Sequence, residues 1–329
     1  MQRRELRFVS AGTHLAGTLT LPDGDGPWPA IVTLHGASGG TRDFRLFLHL
    51  EALLVPAGFA VLRYDRRGSG ASEGDFLTAD FAQLAADSLA AVALAATQPE
   101  VDPRLIGLFG FSQGGWIGPE AASRSNEVGF MVLVGACAVT PAEQMRYVTE
   151  VSVREAGFPE ADVERALVTR AAVDAATRGD MDRDEAASYV RAVEREPWYA
   201  AAFMPPLPDD SRANGKWRLE MDYDVAPLLA RLSVPVLLIH GEHDRWTPIH
   251  DSRRIWDDAF RDRPQQLTAV RLPGTGHFPT LARGAEGEEA APISPDYEAL
   301  LLRWLRQLAP TVCPTVEPAI AWCHGNERE

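Results

Sequence analysis

The chain has 329 residues, 46% hydrophobic and 24% charged, enough for one large globular domain with an insertion or for two modest ones. Its formal net charge of −14 and pI near 5.1 argue against non-specific nucleic-acid or anionic-membrane binding. No segment approaches the roughly 20 continuous apolar residues that span a bilayer. The start, Met1 to Leu6, lacks the apolar stretch of a secretory signal, so a cytoplasmic protein is expected, with homodimerisation left open. Lys216 is the only lysine and reads as coding bias. Cys137 follows an apolar strand as a core thiol would, and Cys313 and Cys323 flank a Pro-rich tail and could bridge one another. No Cys or His cluster has zinc spacing, so no metal is expected.

Arg3 to Val9 and His14 to Leu21 alternate apolar and polar residues around Gly12, which predicts an antiparallel hairpin. Buried strands are expected at Ala30–His35 and Phe59–Asp65, with a helix between them from about Phe44 to Pro56. The Ala-rich run Ala79–Thr97 places Phe81, Leu84, Leu89 and Val92 at helical spacing. Leu105–Phe111 is the next strand, followed by a small-residue helix that Pro119 is expected to kink, and Phe130–Val134 is another strand. Strand and helix in alternation predict a parallel sheet with right-handed crossovers.

From about Pro141 to Tyr223 strands vanish and charged helical stretches take over: Ala142–Ala156, Glu160–Arg178 and Arg183–Arg195. An apolar, Pro-broken run from Pro197 to Pro206 follows them. We read 141–223 as a helical cap inserted into a core formed by 1–140 and 224–310, with 311–329 as an appended tail. The sheet pattern resumes at Val234–His240, followed by a helix near Asp251–Phe260, a strand Gln266–Leu272 and a final helix Pro295–Leu308.

The chain is organised around Gly110-Phe111-Ser112-Gln113-Gly114, which fits G-x-S-x-G at the end of a buried strand. In such a strand-to-helix turn the backbone is strained, and the flanking glycines let strand and helix pass closely. A serine there is exposed near the N-terminus of a helix, whose dipole favours negative charge. A serine hydroxyl is a weak nucleophile and needs a base oriented by a carboxylate. Both follow in the expected order, each in a loop after a strand: Asp244 in Gly241-Glu242-His243-Asp244, and His277 in Pro273-Gly274-Thr275-Gly276-His277. Glu242 is the local rival acid. His243 and His250 lie too near the acid loop to replace His277, and His240 ends a buried strand. Preorganised amides for the developing oxyanion are expected from Ala37 and Gln113, with Ser38 as substitute, because His35-Gly36-Ala37-Ser38-Gly39-Gly40 ends the third strand. No Lys-[Ser/Thr] follows Gly39-Gly40, so a phosphate-binding loop is not indicated.

With these three motif sets in order, residues 30–140 and 232–308 resemble the α/β-hydrolase superfamily. Asp65-Arg66-Arg67-Gly68-Ser69-Gly70 resembles its loop after the fourth strand. Val101 to Gly115 is similar in particular to the esterase branch near dienelactone hydrolases and prolyl-oligopeptidase catalytic domains. The resemblance implies an α/β-hydrolase fold and a Ser112–His277–Asp244 serine hydrolase needing no cofactor. Position 112 is Ser, which excludes the carboxylate nucleophile of haloalkane dehalogenases and epoxide hydrolases. Trp198, Tyr199, Phe203, Met204 and Trp217 are expected in part to line the substrate pocket. The expected substrates are neutral, apolar or aromatic small-molecule esters. The alternatives are a peptidase or amidase, or an acyltransferase or cyclase of natural-product metabolism, and, in another class, a non-catalytic binding protein.

Overall fold

The computed structural model describes residues 1–281 and 287–308. Cys313, Cys323 and the tail 311–329 lie outside the described residues. Eight strands form one sheet: β1 (Gln2–Ser10), β2 (Thr13–Leu21), β3 (Trp28–Leu34), β4 (Ala60–Tyr64), β5 (Val101–Phe111), β6 (Phe130–Val134), β7 (Val236–Gly241) and β8 (Leu267–Leu272). Their spatial order is β1-β2-β4-β3-β5-β6-β7-β8. The hairpin β1–β2 and the β2–β4 pair are antiparallel, and every other pairing is parallel. The mostly parallel α/β arrangement expected from the strand-helix alternation is therefore present.

The central strands are apolar on both faces because helices cover both. Helices α2 (Phe81–Ala96) and α3 (Gly114–Ala122), with α8 (Ala226–Leu229) and α9 (Ile249–Ala259), cover one face through Phe81, Leu84, Trp116, Leu229 and Trp256. Helices α1 (Arg45–Leu54) and α10 (Pro295–Leu308) cover the other through Phe47, Leu50, Leu301 and Trp304. Helix α3 continues through Pro119 to Ala122, with the Ser123 amide bonded to the Pro119 carbonyl at 2.9 Å. Among the described residues, no helix is long and apolar enough to cross a membrane.

Between β6 and β7 the chain is helical: α4 (Pro141–Glu155), α5 (Glu160–Arg178), α6 (Arg183–Val193) and α7 (Arg212–Glu220). The boundaries follow local chemistry. Thr140 and Glu143 form a reciprocal capping box that starts α4, and Gly179, in the left-handed region at φ +92°, ends α5. These helices bury a small apolar cluster of their own around Val153, Val163, Ala166, Val193, Trp198 and Ala202.

Helix α7 was not expected: the sequence reading places no helix between the Pro-broken run Pro197–Pro206 and the resumed sheet. Ser211 caps it through the Asn214 amide. Its buried residues are Asn214, Lys216 and Glu220, so it shows no apolar stripe.

Candidate active site

Strand β5 delivers Ser112 at the carboxyl edge of the parallel strands, where open α/β sheets bind ligands. Ser112 has φ +52°, a left-handed conformation that costs a non-glycine residue ~1–2 kcal/mol. Close packing holds it there. A Cβ on Gly110 would lie 2.7 Å from the Gly114 carbonyl oxygen, and one on Gly115 would lie 2.4 Å from Ala136 Cβ. The Ser112 amide is tied to the Val134 carbonyl at 2.9 Å. The sharp turn is thus built from the glycines on either side of the serine.

Asp244 in the loop after β7 and His277 in the loop after β8 meet. His277 Nδ1 lies 3.0 Å from both Asp244 carboxylate oxygens. The Trp246 and Thr247 amides also donate to Asp244 Oδ1, at 2.9 and 3.1 Å, which fixes the carboxylate. Because Nδ1 faces a carboxylate, the neutral ring carries its proton there and leaves Nε2 free to act as a base. Burial opposes charge on both groups, yet their mutual attraction and hydrogen bond prevail. The net result raises the His277 pKa above the ordinary histidine value and lowers that of Asp244.

Glu242 is engaged elsewhere: Oε2 accepts the Gly274 amide at 2.9 Å, and it is Asp244 that contacts the imidazole. His240 is buried against the Ala136 carbonyl at 2.8 Å, and burial lowers its pKa. His35, bonded to the Tyr64 carbonyl, is held down to about 4 by burial. Both serve as structural histidines.

Two cavities meet at Ser112 and His277. One, of about 230 Å³, has Ala37, Gln113 and an aromatic wall of Phe81, Trp116, Trp217 and Trp246. The other, of about 520 Å³, is bounded by Ala37, Ser38, Phe111, Phe278 and Glu288. Both oxyanion candidates therefore stand beside the serine. A larger space of about 860 Å³ opens behind the Asp244 loop, among Arg253, Asp257 and Arg271. Ser112 and His277 are not on its walls, so size does not mark the site.

Of the five aromatic and Met side chains expected at the pocket, Trp217 alone lines either of these two cavities. Trp198 is fully buried in the inserted helices' own core, with Tyr199 and Met204 packed against it. That core needs large apolar side chains because so few residues form it. Phe203 is 45% exposed and sits edge-on to Trp246, with ring centroids 5.3 Å apart. The cavity wall comes instead from Phe81, Trp116, Met145 and Trp246, scattered along the chain and silent as a motif.

Sequence reasoning also missed an ionic cluster beside the serine. Helix α7 brings in Glu220, which lines the smaller cavity and has Oε2 3.4 Å from Gln113 Nε2. Lys216 Nζ is 2.5 Å from Glu220 Oε1 and bonds the Ala79 carbonyl. Burial raises the Glu220 pKa and lowers that of Lys216, each against the pull of the partner. The clue was Lys216 itself, a lone lysine four residues before a Glu, at helical contact spacing.

The chain has relatives among known proteins. The model of the alpha/beta hydrolase family matches residues 31–290. The chain is 31% identical over 137 residues to the quorum-quenching protein AidA of Acinetobacter baumannii, covering 41% of this chain and 44% of AidA. It is 28% identical over 124 residues to esterase EstD of Thermotoga maritima, covering 36% of this chain and 30% of EstD. Among solved structures, the alpha/beta hydrolase GrgF from Penicillium sp. sh18 superposes with a TM-score of 0.61 at 19% identity, over 95% of this chain and 99% of that one. The chain spans less than half the length of the curated relatives AidA and EstD that it matches.

Proposed function

We propose that this chain, which belongs to the alpha/beta hydrolase family, is a serine hydrolase that cleaves carboxylic esters of small neutral molecules through an acyl-enzyme. One observation carries this reading: Ser112 on a strained turn and an Asp244-anchored His277 line the same two cavities. In the proposed mechanism, His277 Nε2 takes the Ser112 proton as Oγ attacks the ester carbonyl. Asp244 holds the imidazole and stabilises the imidazolium that forms. The amides of Ala37 and Gln113 receive the oxyanion. His277 then protonates the departing alcohol, and water repeats the sequence on the acyl-enzyme.

The aromatic wall of the smaller cavity supports an apolar or aromatic group on one side of the scissile bond. We assign residues 141–223 as a cap on a catalytic core of 1–140 and 224–310, because α7 contributes Trp217 and Glu220 to that wall. AidA and EstD bear names of quorum quenching and esterase activity, and another relative, of mouse, is an acyl-coenzyme A amino acid N-acyltransferase. Acyl transfer on the same machinery is therefore the second reading. The test is a side-by-side panel of neutral aryl esters, acyl-coenzyme A and peptide amides, with water or an amine as acceptor. Ester hydrolysis should dominate, and preferred turnover of acyl-coenzyme A, amides or the amine acceptor would overturn the ester reading.

A further inference from the structure

The loop that follows β3 carries Ala37, yet it contains three glycines within residues 36–40 and has little intrinsic stiffness. Its carbonyls are gathered by one side chain. The Arg66 guanidinium donates to the Gly36 carbonyl at 2.8 Å, to Ala37 at 3.2 Å and to Gly39 at 2.5 Å. The Arg66 main-chain amide donates to the Gly40 carbonyl at 2.7 Å. Arg66 is only 7% exposed and lies over the Phe76 ring at 3.5 Å, within the field of Glu220. Burial draws its pKa down to about 10, which still leaves it charged at neutral pH. Asp65 ties the same segment from the other side, accepting the Arg42 amide at 2.7 Å and the Ala71 amide at 2.9 Å.

A trans peptide is planar, with its C=O and N–H on opposite edges. The Gly36 carbonyl shares its plane with the Ala37 N–H, and the Ala37 carbonyl shares its plane with the Ser38 N–H. Holding both carbonyls on Arg66 sends both N–H groups the other way. Ala37 lines both cavities at Ser112, and Ser38 lines the larger one. We propose that Arg66 is the positioning residue of the oxyanion site, fixing the 36–40 loop so that its amides face the carbonyl oxygen under attack. Its charge also polarises those peptides, which makes their N–H groups better donors. A point charge on a lysine could reach one carbonyl, whereas the planar fork spans three. The role rests on the serine-hydrolase reading, because it needs an oxyanion to form at Ser112.

The experiment compares the wild type with Arg66→Met and Arg66→Lys, each checked for native circular dichroism. Four quantities are measured: kcat and KM on a p-nitrophenyl ester, inhibition by an alkyl trifluoromethyl ketone (which adds to a serine to form an oxyanion), and inhibition by the corresponding secondary alcohol, which forms none. Arg66→Met should lower kcat by about 10- to 100-fold, short of or near the full loss of an oxyanion donor. KM should stay within about threefold, and ketone affinity should fall in parallel with kcat/KM while alcohol affinity holds. Arg66→Lys should lie between. A folded Arg66→Met with kcat within threefold of wild type, a loss confined to KM, or unchanged ketone affinity would overturn the proposal. So would failure of both variants to fold, since Arg66 would then be a structural residue. A wild type that neither turns over esters nor binds the ketone would instead refute the serine-hydrolase reading.

Discussion

Lys216→Met tests whether the ionic cluster beside the site is a matched pair. Lys216 and Glu220 are each 6% exposed, and the ammonium is 2.5 Å from the carboxylate. Methionine keeps the stem's volume but strands the Glu220 charge in a buried setting. Breaking a buried pair from one side costs about 3–5 kcal/mol, whereas replacing both partners by apolar residues is often nearly neutral. Lys216→Met should therefore lose ~3–5 kcal/mol in urea denaturation, and Lys216→Met/Glu220→Leu should recover most of it. The pH dependence has a definite sign. A carboxyl whose folded pKa is raised above its unfolded value costs stability above that folded pKa, and the cost is lifted as pH falls through it. Burial already raises the Glu220 pKa, and removing Lys216 raises it further, so the loss should shrink between pH 8 and pH 5. A single-variant loss below ~1 kcal/mol, or a double variant no more stable than the single, would refute the reasoning.

Three further outcomes are expected. Asp244→Asn should reduce kcat by about 10⁴-fold by favouring the wrong imidazole tautomer, while Glu242→Gln, whose carboxylate serves the Gly274 amide, should cost far less; steady-state kinetics on one ester decides, and equal losses would move the acid. The acid limb of kcat/KM should lie above the ordinary histidine pKa of about 6.5, because His277 must be neutral to act and Asp244 favours its charged form; a midpoint below 6 would contradict this. Trp198→Ala should destabilise the fold by ~3–5 kcal/mol through the cavity it leaves, while raising KM less than Trp217→Ala, as thermal melts and kinetics would show.

The sheet was legible because parallel strands covered on both faces are runs of apolar residues, as in Ala30–Leu34 and Val236–Ile239, separated by helical spacing. Ser112 and Asp244 could be selected for the same reason, since each lies just after such a run, whereas His277 follows the half-buried edge strand β8 and was selected by its order in the chain and its Gly-rich loop. Helix α7 was not legible, since the side chains it buries are Asn214, Lys216 and Glu220, and hydrophobic periodicity cannot register a polar buried face. The aromatic run near Trp198 misled in the opposite way. Apolar composition is the same for a core side chain and a pocket wall, and the inserted helices use Trp198 as core. Arg66 was visible only as part of a loop motif, because the carbonyls it bonds lie some thirty residues away in sequence and only the topology brings them to it.

The central claim is that Ser112 is a nucleophile activated by His277. Incubation with a fluorophosphonate probe, followed by peptide mass spectrometry, tests it most directly. The probe should add once to the peptide bearing Ser112, and Ser112→Ala should remain folded, unlabelled and about 10³-fold or more slower on esters. Labelling at another residue, or wild-type turnover by folded Ser112→Ala, would contradict the account.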